Sequence, residues 1–188
     1  MEIGKTLYFR NRVAWRSWLA KHHRTAKEIW LIYYKKHSGK PAIPYNHAVE
    51  EALCYGWIDS IVKSLDKDRY AQRFSPRKKG SVLSEMNRER IRRLVARKRM
   101  TAAGLKAVDH VFPLSLLNSK LMVAPDIMKA LKRDKIIWKN FRSFPASYKR
   151  IRIGWIESAR VRPDVFRTRL KYFLAMTAKR KRFGMIRR

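Results

Sequence analysis

Val49-Glu50-Glu51-Ala52-Leu53-Cys54-Tyr55-Gly56-Trp57-Ile58-Asp59-Ser60 is the stretch whose reading decides the fold. Val49, Ala52 and Leu53 share one helical face, and the helix meets glycine at Gly56, a residue that tolerates the left-handed conformation closing many helices. Trp57-Ile58 followed by Ile61-Val62 then reads as a strand. A helix turned sharply into a strand places Asp59 just past the corner. Asp66-Lys67-Asp68 supplies a turn, and Arg69-Tyr70-Ala71-Gln72-Arg73-Phe74 reads as the returning strand before the basic segment Ser75-Pro76-Arg77-Lys78-Lys79-Gly80-Ser81.

Working outward toward the N-terminus, Thr6 to Phe9 reads as a short strand, and Asn11 as the cap of a helix burying Val13, Trp15, Trp18 and Leu19. Glu28 to Lys36 is aromatic, branched and nearly continuously apolar, the pattern of a strand covered on both faces. Asn46 is expected to cap the helix that follows. Glu50 and Glu51 are assigned to its first turns, where the helix dipole favours anions.

Toward the C-terminus, Ser81 or Ser84 caps a basic helix running to about Arg99, and a short helix follows through Leu105 and Val108. Phe112 to Pro125 has no clear period. Helices are then expected from Asp126, from Ser147 and from Pro163-Asp164. The expected fold class is α+β, a small, mostly antiparallel sheet with helices followed by an all-helical C-terminal region. The expected domains are 1–111, α+β; 112–125, linker; and 126–188, helical with a basic tail.

Forty-six Lys and Arg against fourteen Asp and Glu give the 188-residue chain a net charge of +32. A field of that sign favours polyanions or small anions as partners, and leaves peripheral contact with an anionic membrane open. The charge concentrates in two places. Residues 69–106 hold 13 basic and 2 acidic side chains, and residues 142–188 hold 15 and 2. The single cysteine, Cys54, excludes an intramolecular disulfide and any multi-cysteine zinc site. No signal-like apolar segment begins the chain, and no run approaches the roughly 20 apolar residues of a membrane span. A cytoplasmic location is the expectation; oligomeric state is not readable.

The residues with chemistry cluster around Asp59. A carboxylate beside Trp57 and near Arg73 or Arg77 suits either acid–base work or the orientation of an anionic ligand, and equally an ordinary Asp–Arg pair. Trp57, Asp59, Gln72, Arg73, Arg77 and Ser81 form the candidate ligand site, with Asp59 the weak candidate for catalysis. The basic segment before Ser81 leads into a helix start, a place that takes phosphate or carboxylate, although it lacks the spacing of a Walker loop. Cys54, near a helix C-terminus, reads as a core residue rather than a nucleophile. The histidines lack ligand spacing, so neither metal nor other cofactor is expected. Arg88, Arg92, Arg93, Arg97, Arg99, Lys179 and Arg180 are the alternative, a sequence-independent nucleic-acid surface.

The opening stretch, continued by Arg69-Tyr70, Gln72-Arg73-Phe74-Ser75-Pro76-Arg77-Lys78, Ser81, Ser84, Asn87 and Met100-Thr101 with Ala103-Gly104, resembles the bacterial YdeI/OmpD-associated family. Ser147-Tyr148-Lys149-Arg150 and Trp155-Ile156-Glu157-Ser158-Ala159-Arg160 are similar to that family's bacteriocin-protection region. Two positions depart from the pattern: Leu83 stands where the family usually has tryptophan, and Val165-Phe166 replaces a small polar residue followed by arginine. The resemblance implies a cytoplasmic bacterial protein, associated by name with tolerance to bacteriocins or cationic peptides, and a non-enzymatic role is the expectation. It implies no defined reaction.

Overall fold

In the computed structural model, which describes residues 2–184, the chain forms two compact units. The first comprises Met1–Leu83 with Arg90–Leu117, and the second Ser84–Glu89 with Asn118–Arg188. The basic tail of the sequence reading extends to residue 188, so its end lies outside the described residues.

The first unit holds β1 (Thr6–Tyr8), α1 (Arg12–His22), β2 (Ile29–Tyr34), α2 (Tyr45–Cys54), β3 (Trp57–Ser64) and β4 (Arg69–Pro76). It also takes most of α3 (Glu85–Ala96) and all of α4 (Ala102–Val108). The four strands lie in the order β1-β2-β4-β3, parallel between β1 and β2 and antiparallel elsewhere, as the mostly antiparallel expectation has it. Trp15, Leu19, Ile29, Leu31, Val49, Leu53, Trp57 and Phe74 make the centre of the core. Trp15 stacks on Trp18, and Trp18 meets Trp57 edge-on. Phe112, in the segment read as linker, is buried in this core, and a single helical turn spans Leu114–Leu116.

Helix starts explain most differences from the sequence reading. Asn11 caps α1 as expected, accepting from the Ala14 amide. Asn46 does not cap α2: Pro44 occupies the cap position, and Asn46 lies within the helix. The fixed φ of proline suits the entry to a helix, which therefore starts earlier than the asparagine suggests. Ser84 rather than Ser81 caps α3, accepting from the Asn87 amide.

The glutamates of α2 correct the helix-dipole reading. They sit in the second half of the helix, where the dipole disfavours anions, and partners hold them instead. Glu51 has no exposed surface. It takes Arg12, Arg16 at 2.6 Å and Arg99 at 2.7 Å, while Glu50 takes Arg12 at 3.0 Å and Arg93 at 3.2 Å. Burial pushes the Glu51 carboxyl up, and the hydrogen bonds and charges of Arg16 and Arg12 outweigh it, leaving the group below its ordinary pKa.

The close approach of α4 to the end of α2 accounts for the glycine in Met100-Thr101-Ala102-Ala103-Gly104. The Cys54 carbonyl accepts from the Thr101 amide at 3.1 Å and its hydroxyl at 2.6 Å. A Cβ on Gly104 would stand 2.2 Å from that carbonyl oxygen. Gly56 has φ of +76°, the left-handed turn expected from the sequence.

The second unit is helical: α5 (Pro125–Lys132), α6 (Lys135–Ser143), α7 (Ala146–Glu157) and α8 (Pro163–Ala178). Ile127, Leu131, Phe141, Tyr148, Ile153, Ile156 and Phe173 form its core. Helix α6 has no counterpart in the sequence reading, although Asp134 caps it through the amides of Ile136 and Ile137. Helix α7 begins after Pro145, before the serine expected to cap it. Buried Glu89 accepts from the Nε and Nη2 edge of the Arg150 guanidinium, at 2.5 and 3.2 Å. Among the described residues no helix is long and apolar enough to cross a membrane.

Candidate functional site

The site lies on the core-facing side of the sheet in the first unit. Strand alternation puts Ile29, Leu31 and Tyr33 of β2 on the same face as Tyr70, Gln72 and Phe74 of β4, because these residues are register partners. Asp59 of β3 is paired with Phe74, so it too faces the core side. A bulge follows immediately: between Asp59 and Val62 two residues of β3, Ser60 and Ile61, oppose one of β4, Arg73.

Asp59 Oδ2 accepts from the Tyr45 hydroxyl at 2.8 Å and from the Gln72 amide at 2.8 Å. Gln72 is buried, and Tyr45 comes from the first turn of α2. Burial first, and then the hydrogen bond to Asp59, push the Tyr45 hydroxyl up to about 12, so it donates throughout the physiological range. Tyr33 stacks on Tyr70 with centroids 5.1 Å apart, and its own hydroxyl is buried without a hydrogen-bond partner. Burial followed by the charges of Tyr70, Tyr45 and Asp59 raises its pKa strongly, which ties that hydroxyl to the same neighbourhood.

Two buried arginines face this carboxylate electrostatically. Arg77 is 9% exposed and Arg90 6%. Burial lowers the pKa of both guanidiniums, and Asp59 acts on both in the opposite direction. Arg90 donates to Asn46 Oδ1 at 2.7 Å. Arg77 uses Nη1 on the carbonyls of Ser81 and Val82, each at 3.3 Å, while its Nε and Nη2 are buried with no hydrogen-bond partner. A buried donor left unsatisfied costs about 1–3 kcal/mol, and more when charged, so this edge of Arg77 is the least satisfied polar group of the site.

Of the sequence candidates, Asp59 and Gln72 meet directly, Arg77 joins them through space, and Ser81 touches Arg77 through its carbonyl. Trp57 lies in the core beside them, its indole donating to the His23 carbonyl at 3.1 Å. Arg73 points to the other face, where its partner across the ladder is Trp30, and pairs with Glu28 at 2.6 Å. The hydrogen bond from Arg73 holds Glu28 below its ordinary pKa. Sequence reading missed Tyr33, Tyr45, Asn46 and Arg90. Their polar atoms were hidden inside apolar or basic patterns, and only the sheet register and α2 bring them to Asp59.

The arginines of the nucleic-acid alternative largely have internal partners. Arg92 donates to the Leu117 carbonyl at 2.9 Å and covers the ring of Phe112, while Arg93 and Arg99 hold Glu50 and Glu51. Arg88 lies 3.7 Å from Glu85. Arg97, Lys179 and Arg180 are exposed. Cys54 is buried, and burial followed by the charge of Glu51 pushes its thiol up to about 11, the reverse of an activated nucleophile. Among the described residues no cluster of His, Cys, Asp and Glu is arranged to hold a metal ion.

Two family models match the chain. Residues 7–107 match one described as Domain of unknown function (DUF8412), and residues 120–180 match one described as Bacteriocin-protection, YdeI or OmpD-Associated. No curated protein and no solved structure matches.

Proposed function

Since the chain belongs to the DUF8412 family through residues 7–107 and is a YdeI/OmpD-associated protein through residues 120–180, we propose that it is a non-enzymatic bacterial protein of the cytoplasm contributing to bacteriocin or cationic-peptide tolerance. Its N-terminal unit holds an anion or small ligand at Tyr45, Asp59, Gln72 and Arg77. The observation that carries this reading is the buried guanidinium of Arg77 with Nε and Nη2 unsatisfied beside a polar cluster. Protection is indirect, because a chain of net charge +32 repels cationic peptides rather than trapping them. Deletion of the gene is expected to raise bacteriocin or cationic-peptide sensitivity, restored by the wild-type chain and not by Arg77→Gln. Equal sensitivity of deletion and parent strains would remove the tolerance role.

The net charge favours a second reading, sequence-independent binding of nucleic acid. Its electrostatic signature is a steep loss of duplex affinity between about 50 and 200 mM salt. Absence of binding even at low salt would eliminate it. A role for Asp59 as acid or base has less support, since one oxygen already accepts two hydrogen bonds; an activity surviving Asp59→Asn would exclude that role.

A further inference from the structure

We infer that the ligand of the Arg77 site is a small carboxylate monoanion, held by the Nε and Nη2 edge of the guanidinium. The inference rests on the reading of Tyr45, Asp59, Gln72 and Arg77 as a ligand site and names the chemistry that site selects.

Shape is the first ground. Nε–H and Nη2–H of an arginine are parallel donors on one edge of a planar fork, and their spacing matches the two oxygens of a carboxylate. Arg77 is pinned by its other nitrogen to the carbonyls of Ser81 and Val82, so the free edge is fixed in direction. A lysine at this position would present a point charge without that match.

Charge is the second. Arg77 is nine-tenths buried and makes no hydrogen bond to a carboxylate. Asp59 acts on it only through space, and spends Oδ2 on Tyr45 and Gln72. Buried charges need a counter-charge, and here one negative charge completes the pair. A phosphate dianion would leave an excess negative charge beside Asp59, where burial makes it expensive.

The surroundings supply the third. Asp59, whose charge acts on Arg77, also accepts from Tyr45, Tyr33 stacks on Tyr70 in the same cluster, and the Tyr33 hydroxyl is an unused donor. Lys78 and Lys79, both exposed, follow Arg77 directly, so an approaching anion meets positive charge before it reaches the free edge.

Calorimetric titration of the full chain with acetate, benzoate and inorganic phosphate tests this. A carboxylate is expected to bind saturably and at least about tenfold more tightly than phosphate. Arg77→Lys, which keeps the charge and removes the fork, is expected to weaken carboxylate binding by about tenfold or more, while Arg10→Gln on the exposed surface leaves it unchanged. Phosphate binding as tightly as the acids, or carboxylate binding indifferent to Arg77→Lys, overturns the inference. If phosphate alone binds and depends on Arg77, the carboxylate assignment falls while the ligand site stands; if nothing binding the chain depends on Arg77, both fall. Should Arg77→Lys fail to fold by circular dichroism, the Arg77 Nε–H resonance of the wild-type chain decides, its saturable shift with acetate supporting the inference and its indifference overturning it.

Discussion

Glu51 and Asp59, eight residues apart in one segment, show how surroundings decide what a carboxylate does. Glu51 is fully buried and held by three arginines, which leaves no capacity for a ligand. Glu51→Gln is expected to destabilise the protein by about 3 kcal/mol, the lower end of the range for breaking a buried pair because the arginines remain partly hydrated. Chemical denaturation at neutral pH measures it. Since the folded pKa of Glu51 lies below its unfolded value near about 4.3, its stabilisation is complete above that pH and is lost as pH falls through the folded pKa. The variant is therefore expected to show a shallower loss of stability over that acid range than the parent. Cys54 offers a second check: with its thiol pushed up to about 11, it is expected to react with a disulfide reagent at least about tenfold more slowly in the folded protein than in denaturant. Comparable rates would contradict its buried, inactivated setting.

At the scale of elements, the parts legible in sequence were those with a local cause. Gly56 ended α2 and turned the chain because a left-handed residue was needed there, and the apolar run of Ile29–Tyr34 marked the central strand. Asn11 and Pro163 marked helix starts for equally local reasons. Helix α6 has a weaker local signal, since Lys135 separates its cap Asp134 from Ile136 and Ile137, and Asn46 is no cap because Pro44 already sets the backbone for helix entry. Contacts between distant elements were not legible. Arg73 and Gln72 are neighbours in sequence and face opposite sides of the sheet, so a site drawn from proximity in sequence mixed the two faces. The function of Gly104 likewise appears only when α4 meets the Cys54 carbonyl. Gly104→Ala is expected to cost about 1–3 kcal/mol, the usual range for overpacking, read as a lower midpoint of thermal or urea unfolding. An unchanged midpoint would show that α4 can move away freely.

For the whole chain, the net charge of +32 suggested a polyanion-binding surface, and the structure divides that charge into different uses. Arg12, Arg16, Arg93 and Arg99 neutralise buried or half-buried glutamates, Arg150 does the same for Glu89, and Arg152 lies against the rings of Phe183 and Trp155 at 4.7 and 5.6 Å. Net charge alone cannot separate these internal cations from those facing solvent, which is why the sequence supported two functional readings at once. Arg77 belongs to neither group: it is buried, charged and without a hydrogen-bonded acid. The most direct test of its role is heteronuclear NMR of the Arg77 Nε–H signal in the full chain during titration with acetate. The account predicts a saturable shift of that signal, with phosphate needing at least about tenfold higher concentration for any comparable effect; a signal that acetate leaves unmoved would contradict it.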